Sequence, residues 1–169
     1  MQKSNDDFVN VSSHLKRMAE IQPYKRAVVY PVSRDKNGRI AYAHLTFLQL
    51  DRESDLIAHG LNKAGIHQGT RTVLMVKPGP DFFALAFALF KTGAVPVVVD
   101  PGMGMKRMLS CLKSTRPEAF IGIPLAHVLR TLFPGFFKTV KVWITVGRRL
   151  FWGGYTLDKI RTEANGSYP

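Results

Sequence analysis

Cysteine is almost absent from this sequence. Cys111 is the single thiol in 169 residues, which excludes an internal disulfide framework and gives no basis for a thiolate zinc cluster. The first residues, MQKSNDDFVNV, are polar and mildly acidic, and they do not have the pattern of a secretory signal. Together these features favour a cytoplasmic protein.

Acidic residues are also scarce, with 12 of them against 24 lysines and arginines and a formal charge of +12. Such an excess suggests a nucleic-acid or anionic-membrane partner. However, the basic residues are dispersed, and no run of them exceeds two. The densest region, Lys138–Arg149, has aromatic residues around it and either stacks bases or forms a strand, Val140–Val146, with a solvated basic edge. We favour the strand, so nucleic acid is not an expected partner.

An uninterrupted membrane span is a third feature that the sequence lacks. Phe82–Val99 is about long enough to cross a bilayer. Lys91 would then lie at mid-bilayer, while Gly93 and Pro96 divide the segment where a strand is expected to begin. We therefore interpret it as a buried helix followed by a strand.

Short β-branched runs alternate with longer apolar segments of helical period, which predicts an α/β layer with mainly parallel strands. The expected strands are Thr72–Val76, Val95–Val99, Glu118–Ile123 and Val140–Val146, and the expected helices are Asp81–Thr92, Lys106–Thr115 and Leu125–Leu132. The first two strands and the helix between them form a right-handed βαβ unit. Asp81 is expected to cap that helix, the apolar run Phe82–Phe90 to be buried, and Gly93 to end it in the left-handed conformation.

The residues before this layer predict a short helix, a hairpin and a longer opening helix. Ser12 or Ser13 caps the short helix, whose Leu15, Met18 and Ala19 share a face. The hairpin joins Arg26–Val32 to Arg39–Leu45 through Asn37-Gly38, and Pro31 suggests an edge strand. The opening helix, residues 45–65, carries the Thr46/Gln49 capping box and the Leu45/Leu50 staple. After residue 146 the pattern predicts only one weak helix, Thr156–Glu163.

No catalytic constellation emerges from these residues. Asp100–Gly104 resembles the start of a dinucleotide loop, but the third glycine of GxGxxG would fall at Arg107, so a turn is favoured. The sequence has no GxxxxGK[ST] motif, and Pro78–Asp81 lacks the free amides of a phosphate cradle. Cys111 is expected to be a buried, inert thiol. Neither the five histidines (His14, His44, His59, His67 and His127) nor the group Ser33, Asp35 and His44 has the spacing of a metal site or a triad. We assign no catalytic, cofactor-binding or metal residue.

Two segments resemble adenylate-forming enzymes, the superfamily of acyl-CoA synthetases, peptide-synthetase adenylation domains and luciferases. LTFLQLD, residues 45–51, is similar to the L-T-Y-x-E-L motif, and LFKTGAVPVVVDP, residues 89–101, to L-K-A-G-A-x-x-V-P-L-D-P. The match extends over residues 8–146. A closer resemblance, carried by VLMVKPGPDFFALAFALFKTGAVPVVVDPGMG, EAFIGIPLAHV and ITVGRRLFWGG, is to the branch that includes bacterial olefin β-lactone synthetases.

This resemblance implies an enzyme that uses ATP and Mg²⁺ to convert a carboxylate into an acyl adenylate. The chain would be the first part of its large N-terminal domain: residues 1–70 hold the helix, hairpin and opening helix, residues 71–146 the α/β layer, and residues 147–169 a tail. The family's phosphate loop, ribose-binding aspartate, hinge and catalytic lysine all lie downstream. Lys91 and Asp100 match the family segment as structural positions. The chain alone is therefore not expected to bind ATP or Mg²⁺ tightly.

Several alternatives remain at this stage. The parent enzyme activates a long-chain β-hydroxy acid and closes it to a β-lactone, or it is an acyl-CoA, carrier-protein or amino-acid adenylating ligase. In a second class, the chain is a non-catalytic α/β module that binds anionic partners. For a ligase, the expected partners are the acyl substrate, the remainder of the large domain and the C-terminal domain. The chain alone should expose an apolar face and self-associate, with part of that face formed by Phe133, Phe136, Phe137, Trp143, Phe151 and Trp152.

Overall fold

The computed structural model describes residues 10–99 and 104–164. In chain order the elements are α1 Val11–Ile21, β1 Arg26–Arg34, β2 Ile40–Thr46, α2 Phe47–Lys63, β3 Arg71–Met75, α3 Pro80–Lys91, β4 Val95–Val98, α4 Met105–Thr115, β5 Ala119–Gly122, α5 Pro124–Leu132, a 3-10 turn Pro134–Phe136, β6 Val142–Thr145, β7 Tyr155–Thr156 and α6 Leu157–Ala164. The described part of the chain contains no helix that is long and apolar enough to cross a membrane.

Five parallel strands form one sheet in the order β4-β3-β5-β6-β7. Val73 of β3 is aligned with Val97 on one side and with Phe120 on the other, so the predicted parallel layer is confirmed. The four expected strands lie within one or two residues of their predicted bounds. The two-residue β7 was not predicted, because so short a segment has no readable period.

The two faces of this sheet bury different side chains, as the alternation along each strand requires. We call the first face the side packed by α1, α2, α3 and α6, where Leu74, Ile121 and Ile144 point. The second face is packed by α4, α5 and the 3-10 turn, and it receives Val73, Met75 and Phe120. The sheet thus separates two hydrophobic cores within the described residues.

Helix α2 begins at the predicted capping box. The Thr46 hydroxyl accepts the amide of Gln49 at 3.3 Å, and the Gln49 side chain accepts the amide of Thr46 at 2.9 Å. Leu50 is buried and Leu45 packs against the same cluster, in keeping with the predicted staple. Helix α2 then lies across α3, with which it shares the first face.

An ion-pair group joins α2 to α3. Lys91, the last residue of α3, places its Nζ 2.7 Å from Oδ1 of both Asp51 and Asp55 and 2.9 Å from the Asp51 carbonyl oxygen. Lys91 and Asp51 are 13% and 12% exposed, so this contact is largely shielded from solvent. The position of Lys91 is structural, as its place in the sequence motif suggested.

The hairpin is a separate two-stranded sheet with a regular turn. Asp35 accepts the backbone amides of Asn37 and Arg39, each at 2.8 Å, and Gly38 has a φ of 80°. The antiparallel pairing of β1 with β2 confirms the predicted hairpin. Pro31 lies in a strand with only one neighbour, beside a register shift between Pro31 and Ser33, which agrees with the predicted edge strand.

Two predicted helix caps are wrong. Helix α1 is capped by Asn10, not by Ser12 or Ser13, and the Asn10 side chain also donates to the Phe90 carbonyl at 2.7 Å. Helix α3 has Gly79 at its N-cap and no side-chain cap, since the helix begins at Pro80 and Asp81 lies inside its first turn, where its carboxylate pairs with Arg161.

Helix α3 is only partly buried, which differs from the expectation for its apolar run. Ala84, Leu85, Ala88 and Leu89 form the buried stripe, while the phenylalanines around them are half-buried. The glycine that ends the helix behaves as predicted, since Gly93 has a φ of 71°. The interior of the first face is therefore built mainly from small and aliphatic residues.

The final helix is an integral part of the first face rather than a weak appendage. Ile160 of α6 is fully buried, and its carbonyl oxygen would lie 2.1 Å from a Cβ built on Gly60 of α2. Arg161 pairs with Glu53 of α2 at 2.6 Å and with Asp81 of α3 at 2.7 Å. Burial opposes the charge of Arg161, but its hydrogen bonds to Asp81 and Glu53 raise its pKa overall. The glycine and the arginine together hold α6 against two other helices.

Candidate functional site

An apolar groove of about 520 Å³ opens at the carboxyl ends of β3, β4 and β5, beside helices α4 and α5. We call it the strand-end groove. Its lining residues are Met75, Val76, Lys77, Pro78, Val99, Met105, Met108, Ile123, Leu125, Ala126, Val128, Leu129 and Leu132. Crevices at the carboxyl ends of parallel strands are the usual ligand position in open α/β sheets, and this volume is in the range of small-molecule sites.

The lining is almost entirely hydrocarbon and thioether. Among the described residues that line it, Lys77 is the only ionisable one, and it lies exposed in the loop between β3 and α3. Leu125 and Leu132, at opposite ends of α5, are 74% and 64% exposed although both are leucines. The groove is thus suited to an apolar group rather than to a nucleotide.

Beside the groove, helix α5 carries the fully buried His127. Its Nε2 lies 3.0 Å from the Ile144 carbonyl oxygen and 3.3 Å from Oγ1 of Thr145, to which Trp152 also donates at 3.1 Å. A carbonyl can only accept, so Nε2 carries the proton of the neutral ring. The Trp152 ring stacks on the imidazole with centroids 5.4 Å apart.

The environment of His127 disfavours its charged form. Burial lowers the pKa of His127 from 6.5, the nearby Arg130 charge lowers this pKa further, and the carbonyl groups of Ile144 and Gly122 act in the opposite direction. Within the described residues, Nδ1 of His127 and Nη1 of Arg130 are buried without a hydrogen-bond partner. The Arg130 guanidinium instead lies over the Trp143 ring, 4.3 Å from its centroid. No pattern in the sequence indicated this buried histidine, because its spacing to other polar residues is irregular.

The candidates considered from the sequence do not come together. Cys111 is exposed, which corrects the expectation of a buried thiol: Met108, Leu109 and Leu112 form the buried stripe of α4, and residue 111 lies at its margin. Asp35 is engaged in the hairpin turn, while His44 is exposed on β2 and aligned with Val29. Within residues 10–99 and 104–164, no group of three or more potential ligands could hold a metal ion.

The glycine-containing loop after β4 falls mostly outside the described residues, since Asp100 to Met103 are not among them. Gly104 is described, and it begins α4 with a φ of 86° and no side-chain cap. The other loop, Pro78–Asp81, provides the N-terminus of α3, and its Pro78 lines the strand-end groove.

The aromatic residues near the end of the chain form an interior cluster rather than the expected exposed face. Phe137 and Trp152 are each 4% exposed, and Trp143 packs on Phe120 with centroids 5.4 Å apart. Phe151 is 81% exposed, as predicted for the whole group. The basic residues of Lys138–Arg149 are exposed in the segments flanking β6, which confirms the expected strand with solvated basic residues beside it, although β6 is an interior strand of the sheet.

Comparison with known proteins identifies the family. Residues 15–146 match the family model described as AMP-binding enzyme. The chain belongs to the AMP-binding enzyme family. It is 49% identical over 160 residues to an olefin β-lactone synthetase of Stenotrophomonas maltophilia and 44% identical over 159 residues to one of Xanthomonas campestris. These alignments cover 93% and 94% of the chain but 29% and 28% of the relatives, so the chain spans just over a quarter of their length.

Solved structures of the same family share the fold. An anthranilate CoA ligase in complex with anthranoyl-AMP superposes with a TM-score of 0.74 at 18% identity, covering 91% of this chain and 28% of that one. A long-chain-fatty-acid–CoA ligase from Archaeoglobus fulgidus gives 0.74 at 14% identity, covering 91% and 30%. The described α/β layer thus has the same fold as one segment of these ligases.

Proposed function

We propose that this chain is the first part of the large domain of an ATP-dependent, acyl-adenylate-forming ligase, and that the parent enzyme makes a β-lactone. The observation that carries the proposal is the 44–49% identity to two olefin β-lactone synthetases over nearly the whole chain. The segments EAFIGIPLAHV and TVGRRLFWGG, outside the motifs shared by all adenylating enzymes, are the ones that favour this branch.

In the proposed reaction, a long-chain β-hydroxy acid attacks the α-phosphate of ATP through its carboxylate, with Mg²⁺ on the phosphates, and pyrophosphate leaves. The β-hydroxyl then attacks the acyl carbon, loses its proton, and expels AMP as the four-membered ring closes. Because the nucleophile is tethered to the carbonyl it attacks, its effective concentration is high and no thiol is needed. The acyl adenylate provides the leaving group.

The isolated chain should be catalytically silent. In the family, the phosphate loop, the ribose-binding aspartate and the catalytic lysine lie downstream of the segments found here, and stabilising the transferring phosphate depends on such groups. ATP–pyrophosphate exchange with the purified chain and a panel of fatty and β-hydroxy acids tests this. Turnover clearly above a no-enzyme control would contradict it.

The parent reaction is tested by incubating the full-length enzyme with ATP, Mg²⁺ and a 3-hydroxy fatty acid, with and without coenzyme A. We expect a β-lactone in both arms. A product that forms only with coenzyme A and keeps its free 3-hydroxyl would favour a thioester-forming ligase. Exchange driven by amino acids alone would favour a peptide-synthetase adenylation domain.

The second class, a non-catalytic module for anionic partners, is supported only by the net charge of +12. Sequencing the gene beyond Pro169 separates the two classes. An in-frame phosphate loop supports the ligase, whereas a stop codon with a stable short product supports the module. For the ligase, the proposed partners are the remainder of the large domain and the C-terminal domain, and the proposed location is the cytoplasm, where ATP is available.

A further inference from the structure

We propose that the loop between β6 and β7 docks this chain on an anionic lipid surface. We call residues 146–154 the β6–β7 loop. Leu150 and Phe151 would then enter the headgroup layer of the lipid. The two arginines before them, Arg148 and Arg149, would contact lipid phosphates. This inference is independent of the proposed reaction, because it concerns where the protein lies rather than what it converts.

Four consecutive residues of the β6–β7 loop are exposed, and two of them are basic and two apolar. Leu150 is 55% exposed and Phe151 is 81% exposed. Arg148 and Arg149 precede them directly and are also exposed. Neighbouring apolar side chains in contact with water favour a partner that covers them. A partner that suits this loop therefore offers apolar and anionic groups close together.

The fold holds Phe151 on the outside of the protein. The next residue, Trp152, is 4% exposed, and its ring stacks on that of His127 with centroids 5.4 Å apart. At the end of the loop Gly154 has a φ of 111°, and a Cβ there would lie 2.6 Å from the Trp143 carbonyl oxygen. Because Trp152 fills the interior position, its neighbour faces solvent.

The positive charge of the chain is concentrated in the segment that contains this loop. Residues 104–157 include nine lysines and arginines but one acidic residue, Glu118, so this segment carries most of the net charge of +12. Glu118 precedes β5 at the amino edge of the sheet, where it pairs with Arg71 at 3.2 Å. The next carboxylate along the chain, Asp158, lies on α6, 3.3 Å from Arg161. Both carboxylates thus have arginine partners outside the loop.

Leu125 extends the exposed apolar surface along the same edge of the sheet. Strands β5 and β6 are adjacent and parallel, with Gly122 aligned with Thr145, so the residues after each strand leave the sheet at one edge. Leu125, the second residue of α5, is 74% exposed. A flat partner such as a bilayer can contact residues that follow two neighbouring strands.

An anionic bilayer matches this combination better than a nucleic acid does. Its headgroups offer phosphates to arginines, and the hydrocarbon just below them accepts leucine and phenylalanine side chains. Single-stranded nucleic acid is held by a basic groove and by stacking of bases on aromatic rings, and exposed leucines add nothing to such stacking. The chemistry of the loop therefore favours the lipid surface.

Co-sedimentation of the 169-residue chain with sucrose-loaded vesicles tests the proposal. We expect binding to vesicles of equal parts phosphatidylcholine and phosphatidylglycerol, and much weaker binding to pure phosphatidylcholine. Binding to the mixed vesicles should fall as salt is raised, because salt screens the attraction between arginines and headgroups. Association between copies of this positively charged chain should instead strengthen with salt, so the two processes are distinguishable.

Two variants with matched controls on α1 locate the contact. Arg148→Gln should lower the partition coefficient about fivefold, the effect of one basic residue near an anionic surface. Arg17→Gln, at another exposed arginine, should leave it near the wild-type value. Phe151→Gln should lower it severalfold, whereas Ile21→Gln, at a residue that is 60% exposed, should not. All four positions are exposed, so the far-UV circular dichroism of each variant should remain that of the wild type.

A tryptophan in the loop reports insertion directly. In mixed vesicles that contain brominated lipid, the emission of Phe151→Trp should be quenched. The matched variant Ile21→Trp should be quenched no more than the wild type. Quenching of both variants to the same extent would contradict docking through the loop.

Absence of binding, or equal binding to neutral and mixed vesicles, would overturn the proposal. Equal losses in Arg148→Gln and Arg17→Gln would do the same, since binding would then reflect net charge alone. A full-length parent that fails to bind while the 169-residue chain binds would assign the loop to packing within the parent. A single-stranded oligonucleotide that displaces the chain from vesicles, and that binds Phe151→Gln more weakly, would assign the loop to nucleic acid instead.

Discussion

The first and second faces of the sheet differ in how completely their polar and charged side chains are paired. On the first face, three helices are joined by Lys91 and Arg161, each of which pairs with two carboxylates from other helices. On the second face, aromatic and thioether side chains pack among the aliphatic ones, and His127 and Arg130 each keep a buried nitrogen without a hydrogen bond. The strand-end groove also opens beside the helices of the second face.

This difference indicates that the first face mainly stabilises the fold, whereas the second face leaves apolar surface exposed to solvent. On the first face, charged side chains hold one helix against another. Helix α6 also approaches α2 so closely at Gly60 that no side chain would fit between them. The second face carries the exposed leucines of α5. We therefore expect changes on the first face to affect folding and changes on the second face to affect binding and association.

The largest expected effect is on the first face, at the contact between α2 and α6. In Gly60→Ala the new methyl would lie 2.1 Å from a backbone oxygen, which cannot move aside as a side chain can. We expect a loss of about 3 kcal/mol in the free energy of unfolding, larger than the gain from alanine's helix propensity. Urea titration measures it, with Gly135→Ala, whose Cβ would meet nothing within 4 Å, as the control. Equal stability of the two variants would mean that α6 is not held as described.

A smaller effect is expected from Lys91→Met. The substitution keeps the apolar stem but leaves Asp51, which is 12% exposed, without its cation. Removing one partner of a shielded pair should cost about 2 kcal/mol. Arg71→Met is the control, because Arg71 and Glu118 form an exposed pair at 45% and 37% and should contribute less than about 1 kcal/mol. A loss for Lys91→Met no greater than for the control would contradict a structural role of the lysine.

The predictable part of this fold is the part that local sequence determines. The capping box at Thr46, the left-handed Gly93 and the positions of four strands all follow from short-range patterns, and the structure confirms them. The family motifs likewise lie within single elements. In each case, the residues that determine the feature lie close together in the sequence.

The errors arise where a residue's partner is distant in sequence. Asp81 was expected to cap α3, but Arg161, eighty positions away, takes its carboxylate. Cys111 was expected to be buried, but the face of α4 that meets the sheet excludes it. His127 and the strand-end groove depend on how three strands and two helices converge, which no periodicity in the sequence indicates.

On the second face, the buried histidine should make stability depend on pH. Because the folded-state pKa of His127 lies below 6.5, the unfolded chain binds more protons as pH falls below that value. The contribution of neutral His127 is thus fully present above about pH 6.5 and is lost as pH falls toward the folded-state pKa. Thermal midpoints followed by tryptophan emission between pH 7.5 and 5.5 should decline, less steeply in His127→Phe, and His14→Gln, at an exposed histidine, should behave as the wild type. Identical slopes in all three proteins would show that His127 does not titrate in this range.

The weakest expected effect is self-association through the exposed apolar residues of the second face. Leu125 and Leu132 of α5 are 74% and 64% exposed on this face, and Phe151, which follows β6, is 81% exposed. Covering such side chains by a second copy removes apolar surface from water, which favours association. The net charge of +12 opposes this contact, so the association should be weak and should strengthen with salt, which screens the repulsion. Sedimentation velocity at rising concentration, in low and high salt, measures it. Leu125→Gln should lower the apparent mass at high concentration, whereas Ile21→Gln should not. A chain that stays monomeric in both salt conditions would show that exposed leucines on this face are tolerated singly, and the comparison of the two faces would then rest on the groove and on His127.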